Sequence, residues 1–296
     1  MSSEDGGAGV RTESLEVPGG TLAYDVRVAE AESGARLLLL FASPMDASGF
    51  TTLAKHFRDR PVVTYDPRGV SRSTRADGAT WSTPDEHADD LRRLISALDA
   101  GPVDAFASSG GAVNALALVT RNPEQVCTLV AHEPPAATVL PDREQALAAV
   151  VDIHETYQRD GFGPAMAKFI AITAVKGPIP VGFGDPPPNP ADFGLPTEDD
   201  GSRDDPMLAG HIIACTHYEF DFAALQAAST RIVVGAGAES EGEFAHRAAL
   251  AVAERLGTEA VIFPSHHGGF LGGEFGWHGE PDAFAATLRR VLGEDG

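Results

Sequence analysis

Six short apolar runs, separated by helical patterns, constrain the fold of this chain more than any other feature. They are Arg36–Ala42, Pro61–Tyr65, Val103–Ala107, Val126–Ala131, Arg231–Gly235 and Glu259–Phe263. A continuous aliphatic run such as Leu37–Phe41 is what a strand needs when both of its faces are covered. Helical stretches fall between the runs, at Phe50–Phe57, from Thr83 to about Ala100, at Gly111–Arg121, at Gly242–Leu256 and at Asp282–Leu292. Thr83-Pro84-Asp85-Glu86 reads as a capping box with proline at the first helical position. Strands alternating with helices predict an α/β fold with a mostly parallel central sheet flanked by helices.

The rhythm breaks once. Residues 134–229 carry helical patterns at Arg143–Arg159, Pro164–Val175 and Leu208–His217 around a Pro/Gly/Asp-rich loop, Gly177–Pro206. The expected organisation is a core of residues 13–133 and 230–296, a mainly helical insertion over 134–229, and a disordered tail over 1–12. Ser14–Val17 and Leu22–Val28, joined by Pro18-Gly19-Gly20, predict a hairpin ahead of the core.

Composition narrows the function. Of 296 residues, 43% are hydrophobic, and 43 acidic against 22 basic side chains leave a net charge of −21. A field of that sign repels nucleic-acid backbones and anionic lipid, so neither is an expected partner. The N-terminal stretch lacks a basic region followed by an apolar one, so no secretory signal is expected. The longest aliphatic run is far short of a membrane span. Cys127 and Cys215 cannot build a disulfide framework and read as buried thiols in a reducing cytoplasm.

The chemistry concentrates at Asp104-Ala-Phe-Ala-Ser108-Ser109-Gly110-Gly111-Ala112, at a strand-to-helix junction. A nucleophile elbow is a sharp turn that needs small residues two before and two after the nucleophile. Ser109 has Ala107 and Gly111 in those places, whereas Ser108 has the bulky Phe106 two before it. Ser109 is therefore the candidate nucleophile; an ordinary small-residue helix start is the competing reading. A serine hydroxyl needs a positioned base. His266 and His267 lie on a Gly-rich loop directly after the last strand. Adjacent histidines point to different sides and no carboxylate or thiol cluster stands near them in sequence, so no metal site is expected. Gly235-Ala-Gly237-Ala-Glu-Ser240 imitates a dinucleotide turn, but serine replaces the third glycine and the turn comes late in the chain, so no cofactor is expected.

Taken with Leu37-Leu-Leu-Leu-Phe-Ala-Ser-Pro-Met-Asp46 and Tyr65-Asp-Pro-Arg-Gly-Val-Ser-Arg-Ser73, the elbow and the terminal histidine loop resemble the α/β-hydrolase-fold serine hydrolases that carry a cap. The resemblance covers about residues 14–293. It implies a structural role for Asp66 and Arg68, and His267 as the base, three residues before Phe270, with His266 as runner-up. It implies an oxyanion hole made by the N–H of Gly110 and that of Ser43. Pro44 has no N–H to offer and Met45 is the fallback. The acid departs from the common pattern: Ser240 stands where that pattern places aspartate. Glu133, at the end of the strand before the insertion and 24 residues past Ser109, occupies a position similar to the acid of zearalenone lactonases and some haloalkane dehalogenases. Glu133 is the expected acid and Glu239 the alternative. His132 falls on the opposite face of its strand and reads as structural.

The implied activity is cleavage of a small-molecule ester or lactone through an acyl-enzyme. A non-catalytic ligand binder on the same fold, or a hydrolase of another bond such as C–C, are the alternatives. Candidates for an apolar substrate wall are Ile153, Tyr157, Met166, Phe169, Ile170, Phe183, Ile212 and Tyr218, each with ordinary helix packing as the competing role. Oligomeric state leaves no mark on the sequence.

Overall fold

The structure, a computed structural model, describes residues 9–30 and 34–293. Among these, nine strands form one sheet. β1 (Val10–Val17) and β2 (Gly20–Arg27) make the expected hairpin, turning at Pro18-Gly19. β1 opens inside the stretch expected to be a disordered tail; residues 1–8 lie outside those described. β3 (Leu38–Ser43), β4 (Val62–Tyr65), the two-residue β5 (Thr74–Arg75), β6 (Val103–Ser109), β7 (Val126–His132), β8 (Arg231–Gly237) and β9 (Val261–Phe263) complete the sheet. The order is β1-β2-β4-β3-β6-β7-β8-β9, with β5 beside β2. From β4 to β9 every neighbouring pair is parallel, and β1, β2 and β5 pair antiparallel.

The aliphatic runs are continuous because both faces of the sheet are buried. Leu39, Phe41, Ala105, Ala107, Leu129 and Ala131 enter one core, while Leu38, Leu40, Ala42, Phe106 and Val130 enter the other. This is the two-residue alternation of a strand, with apolar residues on both sides. The first core is closed by α2 (Pro84–Leu98), α3 (Gly110–Arg121) and α8 (Phe244–Leu256), the second by the short α1 (Thr51–Ala54) and by α9 (Pro281–Leu292).

The capping box at Thr83 forms in both directions: Glu86 N–H donates to Thr83 Oγ1 and Thr83 N–H to Glu86 Oε2, each at 3.1 Å. Gly257, in the left-handed conformation, ends α8 as its position predicts. The helix expected over Phe50–Phe57 is shorter. A 3-10 turn (Ala47–Phe50) leads into α1, after which Lys55, His56 and Phe57 bond back only three residues, tightening the chain out of α geometry.

Between β7 and β8 the chain inserts α4 (Arg143–Asp160), α5 (Phe162–Thr173), α6 (Ile212–Thr216) and α7 (Phe222–Ala227). α4 and α5 agree with their helical patterns and pack on each other across Gly161. The single helix expected over Leu208–His217 is broken instead into a turn (Met207–His211) followed by α6. Trp81 causes the break to be tolerable only at glycine: a Cβ on Gly210 would lie 2.3 Å from the Trp81 Cγ.

Candidate active site

Ser109 closes β6 and caps α3 with φ 56° and ψ −131°. A non-glycine residue at positive φ costs on the order of 1–3 kcal/mol and persists only where its surroundings impose it. The surroundings here are two glycines. A Cβ on Gly111 would come within 2.7 Å of Ala42 Cα, and one on Gly110 within 2.7 Å of the Ser43 carbonyl oxygen and 2.4 Å of His211 Nε2. The first turn of α3 can approach β3 only because these side chains are absent. Ser108 turns the other way: it is buried, with Oγ 3.1 Å from His132 Nδ1. Ser109 is half-buried, and its hydroxyl has no hydrogen-bond partner among the described residues. In ligand-free sites the nucleophile–base contact is commonly long and tightens with substrate.

The candidate residues stand at the C-terminal ends of adjacent parallel strands, where open α/β sheets bind ligands. Ser43 ends β3 and pairs in register with Ser109 at the end of β6. Ser108 pairs with His132 on β7, and Glu133 is the next residue. Glu133 also has positive φ, 46°, and its N–H donates to the Gly235 carbonyl of β8 at 3.0 Å.

The Glu133 carboxylate is fully buried and is met by three donors. His267 Nδ1 lies 2.6 Å from Oε2; Gly237 N–H donates to Oε1 at 2.8 Å, and the Ser240 hydroxyl donates to the same oxygen. Burial by itself raises the pKa of such a group. The His267 hydrogen bond and charge, the His132 ring and the Ser240 hydroxyl more than reverse that, holding Glu133 well below the ordinary carboxylate range. The structure thus brings Glu133 and His267 together. Glu239 is exposed and reaches only the Ser265 hydroxyl, at 3.3 Å. His266 faces elsewhere, accepting the Gly268 N–H at Nδ1 (3.0 Å) with Nε2 3.1 Å from the His278 carbonyl oxygen.

His132 lies in an aromatic box of Phe106, Phe263, Phe270 and Phe284, with its ring 6.0 Å from that of His267. Burial lowers its pKa to about 4, so this ring is neutral beside the site.

Residues 37–180 match the sequence profile of the alpha/beta hydrolase fold family. The chain is 30% identical over 272 residues to the uncharacterized hydrolase YraK of Bacillus subtilis (strain 168), a match spanning 87% of this chain and 89% of that one. The chain belongs to the α/β-hydrolase fold family. It is a hydrolase of that fold. Solved structures with the same architecture include the enol-lactonase from Burkholderia xenovorans LB400 (TM-score 0.64, 17% identity, 95% of this chain and 100% of that one). A thermophilic esterase from Thermogutta terrifontis is another (TM-score 0.65, 19% identity, 97% and 99%). A hydrolase from Pseudomonas aeruginosa PA01 is a third (TM-score 0.63, 22% identity, 96% and 98%).

In this α/β-hydrolase, Asp66 and Arg68 have structural partners. Asp66 accepts the Ala47 N–H at 2.9 Å and pairs with Arg72, which bridges to Asp25. Arg68 is bidentate on buried Asp90 and donates to the Pro18 carbonyl. The glycines of the imitation dinucleotide turn serve packing: a Cβ on Gly235 would meet the Phe263 ring at 2.9 Å, and one on Gly237 the Ser240 hydroxyl at 2.7 Å. Of the residues considered for an apolar wall, Ile153, Tyr157 and Ile212 are core residues, and Met166, Phe169, Phe183 and Tyr218 pack against that core half-buried; Ile170 is also half-buried.

Sequence reasoning missed two participants. Ser240 registers only as an absent aspartate, and its partnership with Glu133 spans 107 residues. His211 carries no motif, yet its ring reaches the Ser43 carbonyl and stands 3.3 Å from Cys215 Sγ, directly against the elbow.

Proposed function

We propose that this α/β-hydrolase is a serine hydrolase of small carboxylic esters or lactones, with Ser109 as nucleophile, His267 as base and Glu133 as acid. The observation that carries the reading is the 2.6 Å contact between His267 Nδ1 and the buried, ionised Glu133. A carboxylate there holds the imidazole in the tautomer whose Nε2 can accept a proton, and stabilises the imidazolium once it forms.

Ser109 Oγ attacks the carbonyl carbon as its proton passes to His267 Nε2. The oxygen of the tetrahedral intermediate is held by the N–H groups of Gly110 and Ser43, a donor of this kind contributing about 3–4 kcal/mol to the barrier reduction. The proton on His267 goes to the departing alkoxide, leaving an acyl-enzyme. Water, deprotonated by the same imidazole, then attacks the acyl carbon; a second tetrahedral intermediate collapses, and Ser109 recovers its proton. In a lactone the departing oxygen stays tethered to the acyl group, and one hydroxy acid is released.

Residues 134–229 act in this reading as a cap, with half-buried Met166, Phe169 and Phe183 available as an apolar wall. The negative charge suits a neutral small-molecule substrate, and two free thiols suit a reducing cytoplasm. The same fold serves an esterase and an enol-lactonase, and also a proline iminopeptidase, so the bond is decided by assay. The test is labelling by a fluorophosphonate probe together with p-nitrophenyl acetate and butyrate turnover. Labelling and turnover are expected in the wild type and absent in Ser109→Ala. A wild type that neither labels nor turns over overturns the ester-hydrolase reading and leaves a hydrolase of another bond or a ligand binder on the same fold.

A further inference from the structure

We propose that the turn at residues 237–240 is a clamp that fixes acid and base relative to each other, with Ser240 as the positioning residue of the Glu133–His267 pair. The proposal rests on the reading of Ser109, His267 and Glu133 as nucleophile, base and acid.

A carboxylate turns easily about its terminal torsion. One hydrogen bond from His267 Nδ1 to Oε2 does not stop the Glu133 carboxylate from swinging off the imidazole. The other oxygen does. Oε1 accepts the Gly237 N–H at 2.8 Å and the Ser240 hydroxyl. With Oε1 held on the β8 side, Oε2 points at His267, 2.6 Å away. The Ser240 hydroxyl has one hydrogen to give, and a second acceptor, the Gly237 carbonyl oxygen, lies 3.1 Å from it. An ionised carboxylate is the stronger acceptor, so the hydrogen goes to Glu133. Ser240 is 1% exposed and Glu133 not at all, so bulk water offers no replacement donor.

The same turn holds the loop that carries the base. Ala238 N–H donates to the Phe263 carbonyl oxygen at 2.9 Å, and Glu239 N–H to the Ser265 carbonyl oxygen at 3.0 Å. Phe263 ends β9, and Ser265 stands two residues before His267. Gly237 is where the two halves of the clamp meet. A Cβ there would lie 3.0 Å from the Ser265 carbonyl oxygen and 3.1 Å from the His266 carbonyl carbon, besides striking the Ser240 hydroxyl.

Gly237 and Ser240 therefore grip the acid, while Ala238 and Glu239 grip the base loop. One short segment sets the spacing between two residues that come from different parts of the chain. Three of the four contacts are made by backbone N–H groups, which substitution does not remove. The fourth depends on the Ser240 side chain, so the clamp can be loosened there and nowhere else by deleting a single atom.

The experiment is a double-mutant cycle on the full chain, read as kcat and KM for p-nitrophenyl butyrate. Ser240→Ala should lower kcat by about tenfold or more and change KM by less than about twofold, because the contact serves the imidazolium that forms in the reaction and not substrate binding. In Glu133→Gln no ionised carboxylate is left to orient, so adding Ser240→Ala there should lower kcat by less than about twofold. A hydroxyl that serves folding alone predicts the same loss in both backgrounds. That result, or a wild-type kcat in Ser240→Ala, overturns the proposal. Near wild-type kcat in Glu133→Gln overturns the acid assignment itself and the proposal with it, so the two failures are told apart. Where Ser240→Ala does not fold, Ser240→Cys, which fills the place with a weak donor, carries the same expectations.

Discussion

Ser240, just beyond the end of β8, donates its hydroxyl to Glu133, which follows the last residue of the neighbouring strand β7. The two residues stand at the ends of β7 and β8, where one carboxylate suffices and a second would be crowded against it. Ser240→Asp should therefore lower activity at neutral pH by about tenfold or more, through like-charge repulsion in a buried site. In the background of Glu133→Ala the same substitution should raise activity, because the only carboxylate then comes from β8. Steady-state kinetics of the two single variants and the double variant check both signs; an inactive double variant with an active Ser240→Asp would sink the shared-position argument.

Glu133→Gln preserves shape and removes charge. It should reduce kcat on the order of 10³–10⁴-fold with little change in KM, as the loss of a triad carboxylate does. Glu239→Gln, at an exposed side chain touching only Ser265, should remain within a few-fold of wild type. The reverse pattern moves the acid to Glu239.

Ser109→Ala should abolish turnover while circular dichroism and melting stay native, since a methyl group fits the elbow. Ser108→Ala loses one buried hydrogen bond, to His132, and should cost about 1–2 kcal/mol of stability with turnover retained. The histidines divide in the same way: His267→Ala should lose orders of magnitude in kcat, whereas His266→Ala, which breaks loop contacts to Gly268 and His278, should show its effect in melting temperature. Comparable mild losses in both histidine variants contradict the assignment.

Acid should destabilise the fold early. His132 and His211 are buried and neutral, their pKa values lowered by desolvation from 6.5 to about 4. Between those values the unfolded chain binds protons that the folded one does not, so stability falls as pH drops from about 6.5 and the loss levels off below about 4. A shift of that size corresponds to roughly 3 kcal/mol per histidine. Glu133, depressed in the fold by its His267 partner despite burial, adds a loss of the same sign below the ordinary carboxylate range. Melting temperature measured from pH 7.5 to 4.5 should decline steadily, and His132→Phe, extending the ring cluster around Phe106 and Phe284, should flatten the decline. A pH-independent melting temperature over that interval excludes buried neutral histidines.

The sequence by itself determined what depends on neighbouring residues. Leu37–Phe41 had to be a strand covered on both faces because nothing in it can face water. The elbow was legible because the strained turn at Ser109 needs small residues at Ala107 and Gly111, two places away on either side. Thr83 and Glu86 cap α2 across three residues, and their pairing is written in that spacing. Glu133 was singled out by resemblance, 24 residues past Ser109 at the end of the strand before the insertion; β6 and β7 are adjacent strands, so their ends lie side by side.

Tertiary structure decided what depends on residues far apart in the chain. Ser240 and Glu133 are separated by 107 positions, and nothing near either one announces the other. His211 comes to rest on Gly110 and Ser43 because Gly210 lets its turn lie against Trp81, a contact between the insertion and a loop of the core. That same contact breaks the helix that the pattern at Leu208–His217 predicts. Short-range sterics and capping act through the covalent chain and so leave a fixed spacing in the sequence. Burial, shared hydrogen bonds and the neutrality of His132 and His211 arise only when separate segments exclude water from one another, and they leave none.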